Sequence, residues 1–296
     1  MSSTDRSAGL GETRGFSPLF SREPAAGGVH STRELESGVR VPGSNLVATS
    51  RHSRSNVTAT LHQPRGNHLQ RGRYNCSLTK RGAFISFEGI DGSGKTTQLR
   101  RLENTLSRLG HSVVVAQEPG GTRVGAEIRK LLLDAANSDL RPIPELLLYF
   151  ASRSQNIAEV IRPALHSGQI VLSDRFTDAT IAYQGFGREL GVEAVRAIEA
   201  VACEGLKPDL TLLLDMAPGT GVQRALERNT SRPLDESRME QEGISFYERV
   251  RGGYIELQRD EPERMKLVGA NGDIGEVEAR VNRIVTDFLE TRGEND

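Results

Sequence analysis

From about residue 83 the chain alternates short apolar runs with longer stretches of helical spacing. The runs at 84–88, 112–116, 170–173, 210–214 and 265–268 are strand-length and rich in Val, Ile, Leu and Phe, so they predict five strands. Between them, apolar residues recur every three or four positions over 95–109, 124–133, 144–162, 192–204, 220–228, 244–260 and 274–291, which predicts helices. Gly110 is a normal residue to close the first of these. Strand and helix in alternation predict an α/β fold, a doubly wound parallel sheet of five strands flanked by helices. No internal repeat is visible. In such sheets ligands bind at the carboxyl ends of the strands. The residues to watch are then Gly89–Thr97, Glu118–Thr122, Asp174–Gln184 and Asp215.

Residues 1–80 follow no such pattern. They are rich in Ser, Gly, Asn and Thr, and from Ser37 to Phe87 there is no Asp or Glu, while Arg40, Arg51, Arg54, Arg65, Arg71, Arg73, Lys80 and Arg81 make the stretch basic. Because the whole chain has a net charge of −1, the remainder is acidic. A composition of this kind buries too little surface to offset chain entropy, so 1–80 is expected to be a disordered basic extension and 81–296 one domain. A transit peptide would be acid-poor, and Asp5, Glu12, Glu23, Glu34 and Glu36 argue against it. An extension with no part in the chemistry is favoured, and without interleaved aromatics a nucleic-acid-binding tail is disfavoured. Cys76 and Cys203 suggest neither a disulfide framework nor a metal cluster, which fits a reducing cytosol. No apolar run approaches the roughly 20 residues of a membrane span, so a soluble protein is expected.

The first strand end carries the clearest chemistry. Gly89-Ile90-Asp91-Gly92-Ser93-Gly94-Lys95-Thr96 matches G-x-x-x-x-G-K-[ST] between a predicted strand and a predicted helix, the context its mechanism requires. Glycines let backbone N–H groups curl around a phosphate, the helix adds its positive end, and the lysine supplies a point charge. The Thr96 hydroxyl suits Mg²⁺. A nucleoside triphosphate and a P-loop NTPase fold follow. No Asn-Lys-x-Asp segment of a GTPase is present. Instead arginines stand at strand and helix ends: Arg129, Arg153, Arg175, Arg228, Arg232 and Arg238. Several arginines converging on a second anion suit an acceptor that is itself a phosphate.

Over about residues 83 to 290 the chain resembles the bacterial-type thymidylate kinases. The resemblance is carried by Phe-Glu-Gly-Ile-Asp-Gly-Ser-Gly-Lys-Thr-Thr at 87–97, Glu-Pro-Gly-Gly-Thr at 118–122, Asp-Arg-Phe at 174–176 and Ala-Tyr-Gln-Gly at 182–185. It implies transfer of the γ-phosphate of ATP to dTMP with Mg²⁺, in a cytoplasmic homodimer that needs neither nucleic acid nor membrane. It implies that Gly89 to Thr97 hold ATP, and that Asp91 faces the acceptor sugar and phosphate. Arg129 and Arg175 hold the dTMP phosphate, and Glu118 stands beside them. An aromatic ring lies over the thymine with an arginine at its carbonyl edge. Tyr149 and Arg153, one helical turn apart, fit that pair, with Phe150 as the alternative ring. Tyr183 lies against the sugar and crowds out a 2′-hydroxyl, and Gln184 offers donors and acceptors to the pyrimidine edge. Asp174 holds the metal through water, beside Thr96.

Lone arginines are more often surface ion-pair residues, and one of Tyr149 and Phe150 is expected in the core. For Asp215 a structural role is at least as fitting. Two residues depart from many relatives: Gln117 stands where an arginine is common, and Ala179 where a serine is, which leaves Thr180 as the hydroxyl nearest the base. The loop itself carries no arginine, and in the family that goes with arginines in a lid. The polar stretch 228–243 suits one, with Arg228 and Arg232 as catalytic candidates and Arg238 free to pair with a neighbouring Glu. The rivals are a P-loop kinase of another nucleotide or nucleoside, and a non-catalytic ATP-binding protein.

Overall fold

A computed structural model describes residues 37–40, 47–53, 56–62, 81–229 and 238–294, with backbone alone for the first three stretches and for 228–229, 240 and 294. Two units divide the chain, Met1–Ser77 and Leu78–Asp296.

In the first unit β1 (Ser37–Arg40), β2 (Val47–Ser53) and β3 (Asn56–His62) pair antiparallel in that order. The run Val57-Thr58-Ala59-Thr60-Leu61 has the β-branched residues that suit a pleated strand.

In the second unit five parallel strands are ordered β5 (Val113–Gln117), β6 (Ile170–Asp174), β4 (Phe84–Glu88), β7 (Leu210–Asp215) and β8 (Met265–Gly269). Each predicted strand is present, the second shifted by one residue. β4 lies between β6 and β7, with Phe84 opposite Val171 and Ile85 opposite Leu210. Alternation along β4 sends Ile85 and Phe87 to one face of the sheet and Phe84 to the other. On the first face they meet Leu99, Leu102 and Leu106 of α1 (Lys95–Arg108) and Val277, Val281 and Val285 of α9 (Ile274–Glu294). On the second, the core includes Leu146 and Phe150 of α3 (Pro142–Asn156), Val195 and Cys203 of α6 (Val192–Cys203), and Tyr247, Val250, Tyr254 and Leu257 of α8 (Ile244–Asp260). Each such side chain contributes about 1.5–3 kcal/mol by leaving water, so the sheet is clamped from both faces.

The predicted helix at 144–162 is α3 continued by a π-helical stretch, Ile157–Ile161, and α4 (Arg162–His166). The helices α2 (Arg123–Leu133) and α7 (Pro218–Asn229) match their predictions to within two residues. A short helix α5 (Thr177–Thr180) followed by a π-helical segment, Ile181–Gly187, was not predicted. Its wider turn does not produce the 3.6-residue spacing by which helices are read from sequence. No helix among the described residues is long and apolar enough to cross a membrane.

Candidate functional site

β4 ends at Glu88 and the chain turns at once into the loop 89–94. Gly89 (φ +133°) passes under Leu214 O, where a Cβ would stand 2.4 Å from that oxygen; at Gly92 (φ +76°) a Cβ would stand 2.0 Å from Gly221 O. Both positions exclude a side chain, so the loop's shape is written in its glycines. α1 starts at Lys95, which is 6 % exposed and donates from Nζ to Ile90 O (2.7 Å) and Ser93 Oγ (3.5 Å). Burial and the neighbouring Arg175 charge lower the Lys95 ammonium to about 8, against the pull of Asp91, Asp174 and Glu88. Thr96 is exposed, and its Oγ1 donates to Asp174 Oδ2 at 2.6 Å, joining the loop to the end of β6.

Arg175, the residue after β6, gathers the site. Its backbone has φ +75°, a conformation that non-glycine residues seldom adopt, and its N–H donates to Phe87 O (3.0 Å). Nη1 donates to Gly89 O (2.9 Å) and Tyr254 Oη (3.2 Å), and Nη2 to Asp91 Oδ1 (2.6 Å) and Tyr183 Oη (3.1 Å). The guanidinium also lies 4.7 Å from the centre of the Tyr183 ring. Tyr183 Oη donates in turn to Asp91 Oδ2 at 3.0 Å. Burial alone would raise the Asp91 carboxyl, but Arg175, Lys95 and Tyr183 outweigh it and hold the group down to about 2.

Glu88 supports this arrangement from below. It is fully buried and accepts from Ser86 Oγ (2.9 Å), the Phe176 N–H (2.6 Å) and Tyr254 Oη (2.9 Å). It thereby holds the chain just after Arg175 and the phenol that touches the Arg175 guanidinium. Burial, then the Asp178 charge, raise the Glu88 carboxyl to about 7 against the lowering influence of Arg175, Tyr254 and Ser86. A carboxyl raised in the folded state above its unfolded value favours folding fully below about 4.5, and this contribution is lost as pH rises through about 7. Glu88→Gln should therefore remove a fall in unfolding free energy on the order of 3 kcal/mol between pH 4.5 and pH 8. Urea titrations of both proteins across that range measure it, and parallel pH profiles would show that Glu88 does not titrate there.

A second group lies on α3 and the segment after β6. Arg153, 2 % exposed, donates from Nε to Glu118 Oε2 and from Nη1 to Thr180 Oγ1 (2.8 Å). Its guanidinium packs over Phe150 (5.1 Å) and Phe176 (5.2 Å). Glu118 is pushed up by burial, and Arg153 and Asn156 oppose the rise. Phe150 is a core residue, so the half-buried ring of the pair is Tyr149, whose phenol makes no hydrogen bond among the described residues. Burial, then the Glu145 charge, push the Tyr149 phenol up to about 12. Arg129 donates from Nη1 to Pro119 O (3.0 Å) at the end of β5's loop. Gln184 is 1 % exposed and donates from Nε2 to Glu145 Oε1 (2.8 Å).

The structure thus brings Lys95, Thr96, Asp174, Asp91, Arg175 and Tyr183 together, and sets Glu118, Arg153, Thr180 and Tyr149 beside them. Asp215 forms a two-point pair with Arg251 (2.7 and 2.8 Å), a structural role. Arg238 pairs with the distant Glu145 (2.7 Å), and the neighbouring acids Asp235, Glu236 and the Glu240 side chain lie outside the described residues. Arg232 and the Arg228 side chain lie outside the described residues. Sequence reasoning missed Glu88, Glu145, Tyr254 and Tyr247, whose Oη donates to Asp91 Oδ2 at 3.4 Å. The tyrosines look like core positions of α8, and a single Glu ending an apolar strand was the only signal for Glu88.

A five-stranded parallel sheet with a Lys-Thr phosphate loop at the end of its central strand, and arginines at neighbouring strand ends, defines a P-loop phosphotransferase. The thymidylate kinase family model matches residues 87–281. A thymidylate kinase of Syntrophotalea carbinolica is 50 % identical over 199 residues, 67 % of this chain and 92 % of that protein. One from Pelobacter propionicus is 47 % identical over 215 residues, covering 72 % and 97 %. The crystal structure of thymidylate kinase from Ehrlichia chaffeensis superimposes with a TM-score of 0.56 at 32 % identity, covering 70 % of this chain and 99 % of that one. The chain belongs to the thymidylate kinase family.

Proposed function

We propose that this chain transfers the γ-phosphate of ATP to dTMP with Mg²⁺, using the residues gathered around Asp91. The observation that carries the reading is that Lys95 and Arg175 donate to adjacent carbonyls of the phosphate loop, Ile90 O and Gly89 O, with Arg175 also on Asp91. Cations suited to the donor and to the acceptor phosphate therefore stand side by side. In this reading Gly89, Ile90, Gly92, Ser93, Gly94, Lys95, Thr96 and Thr97 cradle the ATP phosphates. Arg175 and Arg129 hold the dTMP phosphate, and Tyr149 lies on the thymine, since Phe150 is occupied in the core. Arg153 keeps Nη2 outside its bonds to Glu118 and Thr180, which suits it to the base carbonyl.

Thr96 and Asp174 fit Mg²⁺. They are a hydroxyl and a carboxylate already within 2.6 Å, and hard oxygen donors with one carboxylate suit an ion that takes its other ligands from phosphate and water. When bound, the ion neutralises charge on the transferring group. The acceptor is a phosphate monoester with a second pKa of about 6, already mostly ionised at neutral pH, so no general base is required. The chain's own work is to neutralise two polyanions and hold them in line, through Lys95, Arg175 and Arg129. Formation of ADP in the presence of dTMP, and much slower formation with purine monophosphates, tests the reading. ADP formed equally without dTMP would contradict it.

A homodimer belongs to the same reading. Val124 and Leu131, seven apart on α2, and Ile143 and Leu147, four apart on α3, are large exposed apolar residues on two helices that pack together. A cytoplasmic location suits the free, buried thiol of Cys203. Residues 1–80 take no part in the transfer.

Tyr183 tests the sugar site. Its ring is only 6 % exposed and lies edge-on to Phe246, Tyr247 and Tyr254, so its position is set by packing on three sides. Tyr183→Ala should raise kcat/KM for UMP relative to dUMP by about 10-fold, the scale of one steric contact. These acceptors differ only at the 2′ position, and an unchanged ratio would place Tyr183 away from the sugar.

A further inference from the structure

Helix α3 presents Glu145, Tyr149 and Arg153 at intervals of four, and the segment after β6 presents Thr180, Gln184 and Arg188 at the same intervals. The two rows join at both ends. Arg153 meets Thr180 at one end, and Glu145 meets Gln184 (2.8 Å) and Arg188 (3.2 Å) at the other, with Tyr149 between. Glu145 is fully buried and accepts from three N–H groups, Gln184 Nε2, Arg188 Nε and Arg188 Nη2 (3.2 Å), while Arg238 Nη1 forms an ion pair with it at 2.7 Å. Two arginines against one buried carboxylate hold it ionised, and an ionised carboxylate only accepts. Burial opposes ionisation, but Gln184 and the arginines outweigh it and keep the carboxyl below its ordinary range.

This determines which way the Gln184 amide faces. Its nitrogen must point at Glu145, because its oxygen there would be lone pair against lone pair. Its carbonyl Oε1 therefore points the other way. Among the described residues that oxygen makes no hydrogen bond, and it is not sealed from solvent. We propose that Glu145 is a positioning residue for base choice: by turning the Gln184 amide nitrogen inward it presents a carbonyl acceptor to the pyrimidine edge, and so selects thymine over cytosine. Thymine offers an N3–H donor there, whereas cytosine offers an N3 lone pair that the carbonyl repels. The inference rests on the reading above that Gln184 faces the pyrimidine edge.

The test compares kcat/KM for dTMP and for 5-methyl-dCMP, which share the methyl group and the sugar and differ only at the N3 and C4 edge. Glu145→Gln gives position 145 a donor of its own and frees the Gln184 amide to turn. The preference for dTMP should fall by about 10-fold or more. Gln184→Ala should lower it as far, and the double variant no further. A general loss of structure would lower both acceptors and leave their ratio alone. If Gln184→Ala lowers the preference and Glu145→Gln does not, the inference is overturned while the placement of Gln184 stands. An unchanged preference in Gln184→Ala would overturn that placement and the inference together. Should Glu145→Gln fail to fold, side-chain amide hydrogen exchange in the unaltered protein decides. The Gln184 NH2, assigned by its loss in Gln184→Ala, should exchange slowly with dTMP bound, and exchange as fast as an exposed amide would overturn the inference.

Discussion

Lys95→Ala is expected to lower turnover by at least about 1,000-fold while leaving the fold in place. The loss is large because Lys95 is buried at the mouth of the phosphate loop and still carries its charge, with a pKa lowered only to about 8, so that at pH 7 roughly nine molecules in ten are protonated. The fold survives because the loop is shaped by other groups. Gly89 and Gly92 supply the left-handed turns, and Arg175 binds the Gly89 carbonyl. Removing an ammonium that burial already disfavours costs little stability. Steady-state turnover with dTMP, together with a thermal melt, measures both halves of the expectation. A variant that turns over near the normal rate would remove the phosphate loop from the chemistry.

Arg175→Ala should lower kcat/KM for dTMP by about 100- to 10,000-fold. One guanidinium here binds the Gly89 carbonyl, Tyr254, Asp91 and Tyr183, and the backbone beneath it is held at φ +75° by the Phe87 carbonyl on one side and Glu88 on the other. Its loss leaves Asp91, a carboxylate held down to about 2, without its principal cation, so the acceptor phosphate would meet a negative charge that Lys95 and Tyr183 offset only in part. Arg175→Lys should recover little, because an ammonium on a flexible stem cannot serve four partners fixed in the plane of a guanidinium. If the lysine variant kept nearly full kcat/KM, Arg175 would be acting as a bulk charge and the geometry around it would be incidental.

The sheet was legible because each strand is a short apolar run bounded by polar residues, and burial on both faces leaves that trace directly in the sequence. The phosphate loop was legible for a different reason: its glycines are demanded by backbone angles and by close approach to Leu214 and Gly221, and no other residue fits. What could not be read was pairing at a distance. Glu145 sits in an amphipathic helix and looks like a residue of its polar side, yet in the fold it is fully buried against Gln184, Arg188 and Arg238, from segments 39 to 93 residues away. Arg238 drew attention as a charge near other charges in sequence, and nothing in its local pattern points to Glu145 on α3, with which it pairs. The helical winding of 177–187 left no trace in the sequence pattern because π-helical turns break the usual spacing.

The central claim is that dTMP lies with its phosphate at Arg175 and Arg129 and its base along the row that runs from Arg153 past Tyr149 to Gln184. A crystal structure of the chain with dTMP bound tests this most directly. The account predicts phosphate oxygens within hydrogen-bond distance of the Arg175 and Arg129 guanidinium groups, the thymine ring against Tyr149, and Gln184 Oε1 facing N3. A phosphate bound elsewhere, with Arg175 still closed on Asp91 alone, would contradict it.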